Sequence, residues 1–331
     1  MTATTGSPTD GSPEVLVIIV NFNAGALLSD AVEGMRRQTF TNYRLLVVDN
    51  ASTDDSISLM LERFPEVEVL HAGSNIGFAA ANNLAVKSMP GSHWLALLNP
   101  DAVPEPDWLR RLVEAGRHRT DVGSLASRTL DAADPRVLDG AGDAYHVSGR
   151  YWRRGHGAVA SVCHAKSEEI FSACAAAALY SRAAWEQVGG MDESFFCYGE
   201  DVDLGFRLQL AGYGCLYLAE AIALHHGSAV TGRRSDFSIY HGQRNIVWVF
   251  VKNMPATLFW MLLPYHLLLN VVALLDFALH GRGRVAARAK LDALRGVARA
   301  WEKRAQVKRL RQISTGRLWR AFARGRPWPR C

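Results

Sequence analysis

Val15-Leu-Val-Ile-Ile-Val20, running directly into Asn21-Phe-Asn-Ala-Gly25, decides how the chain is read. A short, unbroken, β-branched apolar run of this kind is the pattern of a strand covered on both faces of a parallel sheet. Leu45 to Val48, Val67 to Leu70 and Trp94 to Leu98 repeat it. Between them lie helical patterns: Leu27, Leu28, Ala31, Val32 and Met35 at helical spacing, then Ile57 to Leu61, then Phe78 to Val86. The alternation predicts an α/β fold, a mostly parallel Rossmann-like sheet with helices on both faces.

Ligands of such sheets sit beyond the carboxyl ends of the strands. Those positions are polar here: Asn21 and Asn23, Asp49 and Asn50, Ser74 and Asn75, Asn99 and Asp101. Any one of them is explained about as well by the turn and cap preferences of Asn and Asp. Four strand ends alike point to a site. A dinucleotide-binding domain needs Gly-x-Gly-x-x-Gly after the first strand so that backbone can approach a pyrophosphate. The turn Asn21 to Gly25 has no such loop, which counts equally against P-loop enzymes and nucleotidyltransferases.

Three clusters carry chemistry. In Leu97-Leu-Asn-Pro-Asp-Ala102, Asp101 would repel a bound diphosphate unless it holds Mg²⁺ or Mn²⁺, hard ions that take oxygen ligands and bridge to phosphate. The alternative, a cap for a helix starting near Pro106, needs a slightly shorter spacing. In Phe195-Phe-Cys-Tyr-Gly-Glu-Asp-Val-Asp-Leu-Gly-Phe-Arg207, Glu200, Asp201 and Asp203 open a helix that ends near Gly212. Dipole complementarity and an i,i+4 pair with Arg207 account for Asp203. They do not account for adjacent carboxylates behind aromatic residues, where desolvation raises a carboxyl toward a useful base. In His225-His226-Gly227-Ser228 one histidine of the tandem can supply a metal contact, although a lone histidine is more often structural.

These stretches, with Val47-Val-Asp-Asn-Ala-Ser-Thr-Asp54, Ser74-Asn-Ile-Gly-Phe-Ala-Ala-Ala-Asn-Asn83 and Gly189-Gly-Met-Asp-Glu-Ser-Phe-Phe-Cys-Tyr-Gly-Glu-Asp-Val-Asp-Leu204, closely resemble family 2 glycosyltransferases of the GT-A fold, particularly the bacterial rhamnosyltransferase-like branch. The resemblance covers about Val15 to Gly242. It implies that Asn21, Asn23, Asp49, Asn50, Asn75, Gly77 and Asn99 surround the donor nucleotide, with Asp49 reading a uracil or thymine edge. It implies that Asp101 is the last aspartate of the family's Asp-x-Asp, Asn99 replacing the first, and that His226, or His225, is the later metal contact. Asp201 resembles the catalytic base, with Glu200 the fallback. The implied activity is inverting transfer of a sugar from a nucleotide diphosphate, dTDP-rhamnose favoured over other dTDP- or UDP-sugars. A non-catalytic sugar-nucleotide binder or assembly scaffold stays open because of Asn99.

The chain's 331 residues, 49% hydrophobic and 21% charged, suffice for a large core. Met1 to Pro13, rich in Thr, Ser, Gly and Pro, reads as a disordered leader without a secretory signal. The glycosyltransferase domain is expected over residues 14–250, with a nucleotide-binding half over 14–127 and an acceptor and catalytic half over 128–250. The five cysteines have no Cys-x-x-Cys or zinc-like spacing. Residues 251–331 read as an apolar, then basic, helical extension. Leu258 to Leu279 could span a membrane by length, but His266, Asn270, Asp276 and Pro264 favour an in-plane or re-entrant helix; a buried helical hairpin is the alternative. Arg282 to Cys331 holds 16 Lys and Arg against Asp292 and Glu302, a local charge of +14, whereas the whole chain carries +5. Basic amphipathic helices beside an apolar stretch favour an anionic membrane surface over nucleic acid. The expected setting is therefore the cytoplasmic face of a membrane, near a lipid-linked or polysaccharide acceptor.

Overall fold

The computed structural model describes residues 13–227 and 235–325; most of the expected leader and Ser228 of the His-His-Gly-Ser motif lie outside them. Its first half alternates as expected: β1 (Val15–Asn21), α1 (Leu27–Arg36), β2 (Tyr43–Asp49), α2 (Ser56–Arg63), β3 (Glu68–His71), α3 (Phe78–Ser88) and β4 (Trp94–Leu98). Then come β5 (Ala102–Pro104), α4 (Trp108–His118), β6 (Val122–Asp131), β7 (Leu138–Gly140), β8 (Asp143–Tyr145), β9 (Tyr151–Arg153), β10 (Glu168–Ile170), β11 (Ala177–Ser181), α5 (Arg182–Gln187), α6 (Glu200–Leu210) and β12 (Gly214–His225). Five helices follow: α7 (Asp236–Asn253), α8 (Ala256–Leu279), α9 (Gly283–Arg295), α10 (Val297–Leu310) and α11 (Thr315–Ala321).

The main sheet runs β10-β12-β6-β11-β4-β1-β2-β3. β1 pairs in parallel with both β2 and β4, and β11 is antiparallel to β4 and β6. The unbroken apolar reading of β1 follows from its place at the centre. Leu16, Ile18 and Val20 enter the core under α3 and α6, while Val15, Val17 and Ile19 enter the opposite core under α1 and α4. Each such buried side chain is worth about 1.5–3 kcal/mol, so the strand is anchored from both faces.

A third core joins α6 to the carboxyl-terminal helices: Val202, Phe206 and Leu210 pack with Val249, Phe250, Phe259, Leu262, Val307 and Leu318. α7 crosses the boundary expected at residue 250. The apolar segment is a single helix, α8, that continues through Pro264. Two of its polar residues, His266 and Asn270, turn inward, whereas Asp276 is exposed. His266 stacks on Phe250 with ring centroids 4.0 Å apart and places Nδ1 2.9 Å from the Ser148 carbonyl, and Asn270 donates to the His266 carbonyl. Its outer face is apolar and open, with Trp260 65%, Tyr265 61% and Leu268 61% exposed. α8 is long and apolar enough to cross a membrane.

Candidate active site

The loops beyond β1, β2 and β3 brace one another. Asn21 is fully buried, and its amide donates to the Ser52 and Ser56 hydroxyls at 2.9 and 2.8 Å. Asn23, at φ 55°, accepts from the Thr53 and Asp54 amides. Asp49 accepts from the Ser52 amide and lies 3.1 Å from His71 Nδ1. These three expected donor contacts hold the loops that form the rim, and none of them lines the cavity. Turns with many free backbone N–H groups take the Asn23 and Asp49 oxygens, while Asn21 donates its amide to the two serines.

Asn50 and Asn75 do face the cavity, joined by an Asn50 Nδ2 to Asn75 Oδ1 bond of 3.0 Å. Gly77 lies between Asn75 and α3 at φ +84°, and a Cβ there would meet Phe196 at 2.6 Å, so this position requires glycine. All three belong to one cavity of about 410 Å³ that also contains Asn99, Asp101, His225, Glu200 and Asp201.

One end of the cavity is a chain of charges. Asp101, right after β4, lies 3.2 Å from His225 Nε2 at the end of β12. His225 Nδ1 donates to Asp139 at 2.7 Å, and Asp139 also accepts from Arg153 at 2.6 Å. Burial alone would lower the His225 pKa, but its hydrogen bonds to Asp101 and Asp139 outweigh that and raise it above 6.5. Burial would raise Asp139, yet Arg153 and His225 hold it well below the usual carboxylate range. Of the tandem histidines, His225 is the one beside Asp101; His226 is exposed and meets Asp101 only through its backbone N–H. The metal contact expected at His226 or His225 therefore has its geometry at His225, because neighbouring side chains along extended chain turn to opposite faces. Asn99 Nδ2 lies 3.4 Å from His225 Nε2. The N-cap position of α4 is Asp107, six residues on, so capping of that helix does not account for Asp101.

This donor set suits a hard divalent cation. A carboxylate and an imidazole nitrogen converge, and the other imidazole nitrogen is oriented by a carboxylate, the usual support of a metal-bound histidine. A second group, Asp143, Cys174 and Asp201, brings its ligand atoms within 4.8 Å of one another. Its chemistry fits less well: burial raises the Cys174 thiol, keeping it protonated, and Mg²⁺ and Mn²⁺ prefer oxygen.

The other end holds acids without adequate counter-charge. Glu200 is 4% exposed, its Oε2 has no partner, and burial with repulsion from Asp201 pushes its pKa far up. Asp143 is pushed up in the same way, by burial and then by Asp201. Asp201 is raised by burial too, but its carboxylate accepts from the Ala175 amide at 3.3 Å and the Val202 amide at 2.8 Å, with the positive charge of Arg153 also favouring ionisation. It is thus the acid of the three that ionises most readily, and it faces the cavity. Asp203, two residues on, belongs elsewhere: fully buried, it pairs with Arg207 at 2.8 Å and Lys252 at 2.9 Å.

The segment leading into α6 is strained. Phe196 and Tyr198 both have φ 67°, a region costly for bulky residues. Asn245 of α7 holds it by donating to the carbonyls of Phe195, Cys197 and Tyr198, while the first amides of α3 donate to the Phe196 carbonyl. Asn245, Asp139, Asp143 and Arg153 escape sequence reading. The one available signal was the pair of carboxylates in the glycine-rich run Asp139-Gly-Ala-Gly-Asp143.

Residues 16–188 match the model of glycosyl transferase family 2. An N-acetylglucosaminyl-diphospho-decaprenol L-rhamnosyltransferase of Mycobacterium tuberculosis is 29% identical over 238 residues, covering 66% of this chain and 77% of that protein. The O-antigen biosynthesis protein RfbC of Myxococcus xanthus is 29% identical over 69% of this chain, but only 18% of its own length is covered. In fold, the chain resembles a Pyrobaculum calidifontis mannosyltransferase in complex with GDP-Man and Mn²⁺, at TM-score 0.54 and 18% identity over 95% of this chain and 89% of the other. It also resembles GalNAc-T7 with UDP, GalNAc and Mn²⁺, at TM-score 0.57 and 14% identity over 72% and 47%. The architecture is the GT-A fold, and the chain belongs to glycosyl transferase family 2.

Proposed function

We propose that the chain is an inverting, metal-dependent glycosyltransferase that moves rhamnose from dTDP-rhamnose to a hydroxyl of a lipid-linked glycan in cell-envelope polysaccharide synthesis, seated on an anionic membrane surface at the cytoplasmic face. The observation that carries this is one cavity lined by Asp101, His225 and Asp201 together. Rhamnose and the lipid-linked acceptor follow from the name of the mycobacterial relative. The membrane seat follows from the open apolar face of α8 and the basic helices after it.

Asn50, Asn75 and Gly77 bound the donor side. Asp101 and His225 would hold Mg²⁺ or Mn²⁺, Asp139 fixing the imidazole. When bound, the ion neutralises charge that builds on the departing nucleoside diphosphate. Asp201 takes the acceptor hydroxyl proton as that oxygen attacks the anomeric carbon, from the opposite side to the leaving group. Burial strengthens Asp201 as a base, while Glu200 and Asp143 beside it are held neutral. Asn99, the feature that keeps a non-catalytic binder open, sits against His225, where an amide supports the imidazole.

The test is nucleoside diphosphate release from dTDP- and UDP-sugars, with a lipid-linked acceptor and with Mn²⁺, Mg²⁺ or chelator. Release is expected from dTDP-rhamnose and abolished by chelator. Donor binding with no release under any of these conditions would favour the non-catalytic reading.

A further inference from the structure

The β8–β9 hairpin connects two cavities. At its open end Asp143 and Arg153, paired across the ladder, line the catalytic cavity. At its turn Val147 lines a groove of about 640 Å³, walled chiefly by Met261, Tyr265, Leu268 and Val272 of α8 and by Trp319 of α11. Asp143 to Val147 is roughly 13 Å of extended chain. The turn is fixed to α8 through the His266 to Ser148 contact, and a Cβ on Gly149, at φ +83°, would lie 2.5 Å from His266 Nδ1.

The groove is continuous with the open apolar face of α8, because Tyr265 and Leu268 belong to both. A cation stands at its wall: the Arg324 guanidinium lies 5.4 Å from the centre of the Trp319 ring. An apolar trough, a cation beside it and a short hairpin path to the base suit a molecule apolar at one end, anionic in the middle and bearing a sugar at the other. A bilayer phospholipid has no group to send along the hairpin. We propose that this groove receives the isoprenoid chain of a polyprenyl-diphosphate glycan acceptor, with the diphosphate drawn toward Arg324 and the sugar reaching the catalytic cavity. The assignment rests on the acceptor being lipid-linked, as proposed above.

The full chain in detergent micelles tests it in two ways. Irradiation with a benzophenone-tagged farnesyl diphosphate is expected to label residues 146–148 and 261–272, with labelling suppressed by undecaprenyl diphosphate and not by phosphatidylglycerol. Labelling elsewhere, or equal competition by phosphatidylglycerol, overturns the proposal. Transfer is then compared between acceptors carrying the same sugar diphosphate on an isoprenoid or on a short alkyl chain. The parent is expected to favour the isoprenoid in kcat/KM. Val147→Trp, which fills the groove, and the milder Leu268→Ala, at an exposed position, are each expected to reduce that preference about tenfold. No preference in the parent, or one unchanged in both variants, overturns the groove while leaving the glycosyltransferase reading intact. Transfer to soluble glycans alone overturns the lipid-linked acceptor and this assignment together.

Discussion

The two ends of the cavity both rest on buried carboxylates near Arg153 and reach opposite electrostatic states. Asp101 and Asp139 enclose His225, and Arg153 completes the set, so positive charge meets buried carboxylate. Glu200, Asp143 and Asp201 share a small volume in which Arg153, and Arg154 toward Asp143, do not offset burial, which lifts all three. Burial by itself does not decide what a carboxylate does; the nearest opposite charge and the backbone amides do. The first end is suited to hold a cation against phosphate, the second to keep a base that is stronger than an exposed aspartate.

The largest expected effect breaks the second end. Asp201→Asn removes the proton acceptor while keeping its shape, and kcat should fall about 10²- to 10⁴-fold with donor affinity little changed. Single-turnover transfer and nucleotide titration separate the two quantities; a variant as active as the parent ends the assignment of this base. Asp203→Ala tests the contrast within one helix turn. Removing this buried partner leaves Arg207 with backbone carbonyls alone and Lys252 with Asp192 as its remaining carboxylate, and stability should drop by about 3–5 kcal/mol in urea denaturation. A loss of activity without a loss of stability would instead place Asp203 in the chemistry.

Asp139→Asn sharpens the first end. An amide no longer compels the His225 tautomer that leaves Nε2 toward Asp101, and Mn²⁺ affinity should fall about 10- to 100-fold. Calorimetric Mn²⁺ titration reads this without turnover. Unchanged affinity would shift attention to Asp143, Cys174 and Asp201 as the cation site.

The contrast also explains what could be read in advance. β1, β2 and β4 were legible because a central strand must be apolar on both faces, and Val15 to Val20 has no polar residue to suggest otherwise; the edge strand β3 was legible from its place in the alternation. Asp101, Glu200 and Asp201 were legible because each follows a strand or opens a helix, positions that local pattern identifies. Asn21, Asn23 and Asp49 carried the same pattern but spend their oxygens and amides on neighbouring loops, a use that depends on loop geometry. Asp139 and Asp143 lie in strands of three residues, too short for any period to show, and their role depends on β12 and α6 arriving from far along the chain. The His225 and His226 choice turned on which face of β12 meets β4's loop, something a tandem pair does not disclose.

The smallest effect concerns Glu200, and it separates base from neighbour. Its folded-state pKa lies well above that of an exposed glutamate, because an ionised carboxylate there would be buried beside Asp201. The unfolded chain therefore releases the proton at lower pH than the folded one, and folding stability declines as pH rises from the unfolded pKa toward the folded pKa. Each unit of separation is worth about 1.4 kcal/mol. Glu200→Gln, which has no proton to release, should be as stable as the parent at acid pH, more stable near neutrality, and flatter across that window. Its kcat should stay within about tenfold of the parent, and the rise of kcat with pH, set by Asp201 losing its proton, should stay in place, because Glu200 is still neutral when Asp201 ionises. Urea melts and transfer rates across the pH range measure both. A Gln variant that lost activity as completely as Asp201→Asn would mean that the two carboxylates act as one coupled base.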